Sequence, residues 1–144
     1  MIQKLYTVSA AGTDPRANLA AESALLDHAH KNAMILYLWQ NDNTVVIGRN
    51  QNVYRECNLK NMEKDHVVLV RRPSGGGAVY HDLGNLNYTF ITDDENYSIE
   101  KQSQVIMQAL AYNGLTAEIS GRNDLLIDGH KFSGNAYYHH HGFS

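Results

Sequence analysis

The sequence predicts a mixed α/β protein, with antiparallel hairpins embedded in a larger sheet flanked by helices. Three observations carry that expectation. Short runs rich in β-branched and aromatic residues recur along the whole chain, at 2–8, 34–39, 44–47, 67–70 and beyond. Two longer stretches between them are bounded by helix start and stop signals. Turn clusters, Asn41-Asp42-Asn43 and Asp128-Gly129, separate neighbouring runs.

Taken in order, residues 2–8 alternate moderately and read as a strand. Asp14-Pro15 opens a helix, with Asp as the cap and Pro at the first helical position. That helix should run over residues 16–30, burying Leu19, Leu26 and a band of alanines. Residues 34–39 and Thr44–Ile47 form an expected hairpin across the Asn-Asp-Asn cluster. Residues 55–64 read as one short helix. Residues 67–70 are continuously apolar, which predicts a strand buried on both faces. Residues 78–80 and 86–91 read as strand, broken or bulged at 82–84. Ser98 caps a helix over 99–113, whose Ile99, Ile106 and Leu110 share a face, and Gly114 ends it. Asp124–Ile127 and residues 130–133 flank Asp128-Gly129, a strong hairpin signal.

Composition narrows the function classes. A length of 144 residues predicts one domain, and 43% apolar with 19% charged residues is ordinary for a soluble globular chain. A net charge of −3 argues against a nucleic-acid partner, although Arg71, Arg72, Arg122 and Lys131 could form a local basic pocket. No apolar run approaches the ~18 residues of a membrane span, and the N-terminus lacks a signal-peptide pattern. The single cysteine, Cys57, excludes an internal disulfide and fits a reducing cytoplasm. With Glu56 beside it, a reactive thiolate is not expected.

The most informative stretch is 71–90, where Arg71-Arg72-Pro73-Ser74 leads into Gly75-Gly76-Gly77 and then Ala78-Val79-Tyr80-His81-Asp82. Consecutive glycines lose more backbone freedom on folding than any other residues. They are worth that entropy where something must approach the backbone closely. Beside arginines the visitor is an anion, held by guanidinium and bare N–H groups. The loop is neither a P-loop nor a dinucleotide turn, because no Lys-Ser/Thr and no helix follow it. Its duller explanation is a mobile hairpin tip.

A second constellation spans 121–136. Lys131 sits just past a tight hairpin, so a strand fixes its direction, and its compact charge suits a phosphate or carboxylate-derived oxygen. An exposed strand lysine is the plain alternative. Ser133-Gly134-Asn135-Ala136 is small and polar, as a ligand-contacting wall would be. Asp124 fits a metal or nucleotide contact and equally a strand-start turn residue. His81-Asp82 lacks the serine nucleophile of a hydrolase triad. His139-His140-His141 alternate faces on an extended chain and should not converge on a metal.

These segments resemble the lipoate–protein ligases. That family carries Arg-Arg-x-Ser-Gly-Gly-Gly-Ala-Val-aromatic-His-Asp-x-Gly-Asn, here residues 71–85, and Gly-Arg-Asn-Asp-Leu … Lys-x-Ser-Gly-x-Ala, here 121–136. Further similarity lies in Asn18-Leu19-Ala20 with Glu22, in Trp39 with Thr44-Val45-Val46-Ile47-Gly48-Arg49, and in Glu56-Cys57-Asn58. The resemblance implies the biotin/lipoate–protein ligase catalytic fold, a mixed, largely antiparallel sheet flanked by helices. It also implies a cytoplasmic enzyme that makes lipoyl-AMP from lipoate and ATP, with Mg2+. The lipoyl group then passes to a lysine of acceptor domains in 2-oxoacid dehydrogenase E2 subunits or the glycine-cleavage carrier protein. By the same resemblance Arg72, Gly77, Ala78, Val79, Tyr80 and Lys131 bind ATP. Ser74, Gly75, Gly76, Val79, His81, Lys131, Ser133, Gly134 and Ala136 line the lipoate site, and Lys131 is catalytic. Family members continue past residue 144, so residues 1–144 are expected to be the N-terminal portion of the catalytic domain, without its remaining strands or the smaller C-terminal domain. A non-catalytic remnant, one half of a two-chain ligase, a plain nucleotide-binding module and an octanoyl/lipoyl transferase are the alternatives. The transferase route relies on a cysteine nucleophile, and none follows Cys57.

Overall fold

A computed structural model describes residues 1–121 and 124–144. The expected pocket member Arg122 lies outside the described residues. The chain divides into two compact units, Met1–Asn96 with Tyr138–Ser144, and Tyr97–Tyr137.

The first unit contains two three-stranded sheets. In one, β2 (Ala33–Trp39) is central, parallel to β1 (Lys4–Ser9) and antiparallel to β6 (Asn87–Thr92). The crossover between β1 and β2 is α1 (Pro15–Asp27), with Asp14 accepting the Arg16 N–H at 2.9 Å as its cap. In α1 the inward stripe is Pro15 and Asn18, with Leu19, Glu22 and Leu26 half-buried, so two polar groups lie where the alanines were expected. The other sheet centres on β3 (Thr44–Ile47), parallel to β4 (Val68–Arg71) and antiparallel to β5 (Val79–His81).

The mixed α/β class and the prevalence of antiparallel pairs hold, while the strands assemble into separate small sheets in place of one larger sheet. Several local expectations change with this. The run 34–39 does not form a hairpin with β3. Asn41 is fully buried, and its side chain bonds inward to Asn18 and His81. The connection is thereby anchored in the interior, and β3 starts a second sheet. The single helix over 55–64 is two, α2 (Val53–Glu56) and α3 (Leu59–Lys64). Asn52 and Asn58 each accept a backbone N–H at a helix start, and Cys57 between them is extended. Such side chains compete with the continuing helix for its backbone groups. β4 is a half-buried edge strand, because β3 takes the central place. Continuous apolarity did not distinguish the two positions. The break at 82–84 is a turn in which Asp82 accepts the Gly84 and Asn85 N–H groups at 2.8 and 3.0 Å. It carries the chain from one sheet to the other.

The second unit is α4 (Ile99–Ala111) and an antiparallel meander, β7 (Ala117–Ser120), β8 (Asp124–Ile127) and β9 (His130–Gly134). Ser98 caps α4 through the Lys101 N–H, and Gly114 at φ 76° follows its last turn. Leu115 N–H then returns to the Leu110 carbonyl at 3.1 Å, closing the helix end. Asp128 and Gly129 have φ of 50° and 74°, the conformation an Asp-Gly hairpin turn requires. β7 was not anticipated, since its four residues carry only a weak alternation. Leu125, 1% exposed, fills the interior of this unit. Among the described residues no helix is long and apolar enough to cross a membrane.

Candidate functional site

The glycine loop leaves the end of β4 and returns into β5, so both of its ends are strand-held. Arg71 and Arg72 bind backbone carbonyls there. Arg71 Nη1 donates to the carbonyls of Gly48, Arg49 and Gln51 at 2.8–3.1 Å, tying down the segment after β3. Arg72 donates from Nε and Nη2 to Gly75 O at 3.0 and 2.8 Å. It also donates from Nη2 to Gly77 O at 2.7 Å and from Nη1 to Val46 O at 3.2 Å. Loss of solvent around the guanidinium lowers its pKa from the usual arginine value, and the carbonyl dipoles replace the lost water.

The loop's opposite face follows from peptide geometry. Ser74 O accepts from Arg49 N–H at 2.9 Å, and Gly76 O packs onto the Cα of Gly48, where a β-carbon would lie 2.2 Å from it. The carbonyls of residues 74–77 therefore all turn toward the protein. In a trans peptide the next residue's N–H points the other way, and no described bond is cis. The N–H groups of Gly75, Gly76, Gly77 and Ala78 therefore point away from those acceptor contacts, and among the described residues none of them donates to a protein acceptor. Gly76 has φ 92°, which a glycine adopts at no steric cost. Successive free amides are the kind of backbone surface that can accept an anion. Val79 and Tyr80, 43% and 56% exposed, follow in β5 with their side chains on opposite faces of the strand.

His81 is buried beside the loop's exit. Tyr37 O–H donates to Asn18 Oδ1, Asn18 Nδ2 donates to Asn41 Oδ1 at 3.1 Å, and Asn41 Nδ2 then donates to His81 Nδ1 at 3.2 Å. This directional chain places the imidazole proton on Nε2. Burial, reinforced by the nearby Arg72 charge, lowers the His81 pKa against an opposing effect of Asp82. The ring is neutral at pH 7 and packs edge-on to Trp39 at 6.3 Å between centroids.

Next to it, Trp39 Nε1 donates to Thr89 Oγ1 at 3.1 Å, so the threonine hydrogen goes to Glu22 Oε1, 2.6 Å away. Burial raises the Glu22 pKa above its ordinary 4.5, only partly offset by that hydrogen bond. The native state therefore holds its proton more tightly than the unfolded state does. Stability from this group is full below pH 4.5 and is lost as pH rises through the folded value. Glu22→Gln should match the parent's melting temperature at pH 4 and exceed it at pH 7, in thermal melts across that range.

In the second unit, Lys131 Nζ pairs with Asp124 Oδ1 at 2.8 Å, the side chains being 55% and 34% exposed. Gly134 lies opposite Asp124 in the ladder, and a β-carbon on it would stand 3.0 Å from Lys131 Nζ. The lysine chain thus lies across the glycine. Register slips between Leu125 and Leu126, so Lys131 pairs with Leu126 while Ser133 pairs with Leu125. Ser133 is half-buried and Ala136 exposed.

The two groups of expected site residues are thus Arg72 and Ser74 to His81 in the first unit, and Asp124, Lys131, Ser133, Gly134 and Ala136 in the second. Among the described residues no cluster of three or more His, Cys, Asp or Glu could hold a metal. His139 contacts Asp94 and His140 stacks on Tyr138. An open depression of about 510 Å3 at residues 54–60 contains none of the expected site residues. Reasoning from sequence missed the part of Asn41, hidden in a turn cluster, and of Gly48, which stands in a family-like segment without a role.

Residues 14–144 match the family model of the lipoyl protein ligase A/B catalytic domain. The lipoate-protein ligase A of Bdellovibrio bacteriovorus is 48% identical over 140 residues, 94% of this chain and 41% of that protein. Among solved structures, P. falciparum LipL1 in complex with lipoate superposes with a TM-score of 0.89 at 34% identity, over 98% of this chain and 46% of that one. A bi-partite lipoate protein ligase from Thermoplasma acidophilum, described with its E2 lipoyl domain, gives 0.84 at 28% identity over 99% and 58%. A lipoate-protein ligase A bound with ATP gives 0.84 at 28% identity over 99% and 64%. This chain spans less than half the length of the curated relatives it matches. Family model, sequence identity and fold agree: the chain belongs to the lipoyl protein ligase A/B catalytic domain family.

Proposed function

We propose that this chain is the N-terminal portion of the catalytic domain of a cytoplasmic, ATP-dependent lipoate–protein ligase, residues 1–144 carrying its nucleotide and lipoate residues. The observation that supports this best is the outward row of amides at Gly75–Ala78 beside the exposed Val79 and Tyr80. The amides suit phosphate oxygens, and an exposed apolar side chain next to them suits contact with an acyl chain.

In the first step a lipoate carboxylate oxygen attacks the α-phosphorus of ATP. An O–P bond forms, the bond to the β-phosphate oxygen breaks, and pyrophosphate leaves with the electron pair. In the second, the amine of an acceptor lysine attacks the acyl carbon, loses a proton and expels AMP. Acceptors are the lipoyl domains of 2-oxoacid dehydrogenase E2 subunits or the glycine-cleavage carrier protein. Both steps develop charge on oxygen, where fixed positive groups and amides act most strongly.

Arg72 and residues 77–80 serve the nucleotide. Lys131 offsets the repulsion between carboxylate and α-phosphate, then steadies the acyl oxygen. Ser74, Gly75, Gly76, Val79, His81, Ser133, Gly134 and Ala136 serve the lipoyl chain, and a neutral His81 adds no charge to an apolar ligand. Asp124, the expected metal candidate, is paired with Lys131. Mg2+ therefore fits as the polyphosphate's counterion, its usual way of binding, more than as a resident metal.

Lipoate-dependent ATP–pyrophosphate exchange tests the reading. Label should enter ATP only when lipoate is present. ATP binding that ignores lipoate would favour a plain nucleotide-binding module. Because the chain covers less than half of its relative and one matching ligase is bi-partite, one half of a two-chain enzyme is a second reading. It predicts lipoate and ATP binding, with exchange only after the complementary polypeptide is added.

A further inference from the structure

We infer that Arg72 is a positioning residue. Its guanidinium folds the glycine loop into its anion-binding shape before any ligand arrives, and it serves the nucleotide through the loop's amides instead of by a direct fork. The inference deepens the proposed nucleotide site and rests on that assignment.

Arginine offers five N–H donors. In this structure Nε, both hydrogens of Nη2 and one of Nη1 go to the carbonyls of Gly75, Gly77 and Val46. Among the described residues one donor is left, and a bidentate grip on phosphate needs two adjacent ones. The bonded carbonyls are those whose orientation matters. Turning Gly75 O and Gly77 O inward turns the Gly76 and Ala78 N–H groups outward through the same peptide planes. Val46 O belongs to β3, so the guanidinium joins the loop to the central strand of its sheet. Arg72 N–H is itself fixed to Ile47 O at 3.0 Å, which holds the side chain's origin. Gly76 stands so close that a β-carbon there would lie 2.8 Å from Nη2. The loop is wrapped around the guanidinium, as around a template.

A residue acting only by touching ligand would leave the ligand-free loop unchanged when replaced. Backbone 15N relaxation of the ligand-free protein should give order parameters of about 0.85 for Gly75–Gly77, dropping below about 0.6 in Arg72→Lys. Lysine keeps the charge but cannot span three carbonyls. ATP affinity should fall about tenfold or more in the same variant, by titration with Mg-ATP. A loop equally ordered in Arg72→Lys overturns the inference, whether or not ATP binding falls. If the variant does not fold, the unmodified protein decides. Its Arg72 Nε–H and Nη signals should show hindered rotation without ligand and keep their carbonyl partners when ATP is added. Coupling between Arg72 nitrogen and phosphorus after ATP addition would overturn it. Should neither protein bind ATP while the variant's loop still loosens, the nucleotide assignment fails and Arg72's shaping role stands.

Discussion

Lys131→Ala should lower the proposed lipoate-dependent ATP–pyrophosphate exchange by about 100- to 1,000-fold, roughly 2.7–4 kcal/mol of barrier, the size of effect seen on removing one oxyanion donor. Stability should hardly change. The ammonium and its Asp124 partner are 55% and 34% exposed, and ion pairs this open to solvent contribute about 0–1 kcal/mol. A fall in exchange with an unchanged thermal melt therefore reports chemistry, and β9 remains fixed by its pairing with β8. Lys131→Arg sharpens the result. The charge survives, but a planar fork replaces a compact ammonium that lies across Gly134. Recovery by arginine would mean that charge alone suffices, and continued loss would mean that placement matters. Exchange near the parent rate in Lys131→Ala would remove the lysine from the mechanism.

The structure also shows which features of this chain announce themselves in sequence. Helices α1 and α4 were legible because their ends are local: Asp14-Pro15 and Ser98 satisfy nearby N–H groups, and Gly114 adopts the positive φ of a helix stop. The Asp128-Gly129 hairpin was legible for the same reason. Strand order was not. β2 lies between β1 and β6, and Tyr37 pairs with Thr89, far along the chain, a choice no local pattern encodes. Asn41-Asp42-Asn43 has the composition of a hairpin turn, yet burial of Asn41 against Asn18 and His81 makes it a passage between sheets. The glycine loop stands out in the sequence, and its residue types lead to the expectation of an anion there. Which groups face the ligand did not follow, because arginine donors suit carbonyls and phosphates alike. Only the carbonyl positions around Arg72 distinguish the two.

Gly48→Ala tests whether that loop must be held in one shape. The added methyl would stand 2.2 Å from Gly76 O and 3.2 Å from the Gly75 carbonyl carbon. Both neighbours are backbone, so no side-chain rotation relieves the overlap. Gly48 cannot retreat easily, since its carbonyl accepts from Arg71 at 2.8 Å and its N–H donates to Gln51 Oε1 at 2.9 Å. The loop must move instead, away from the Arg49 N–H that holds Ser74 O. Overpacking of this kind costs roughly 1–3 kcal/mol, visible as a lower denaturation midpoint. Gly12→Ala is the matched control, with nothing within 4 Å of its new methyl, and should stay within about 0.5 kcal/mol of the parent. The loss of Mg-ATP and lipoate affinity in Gly48→Ala should exceed what the stability loss explains, because the folded fraction still carries displaced amides. Gly48 touches no ligand in this account and acts only through the position of residues 74–77. Full affinity in a folded Gly48→Ala chain would mean that the cradle forms on the ligand, with no need of the strand end beneath it.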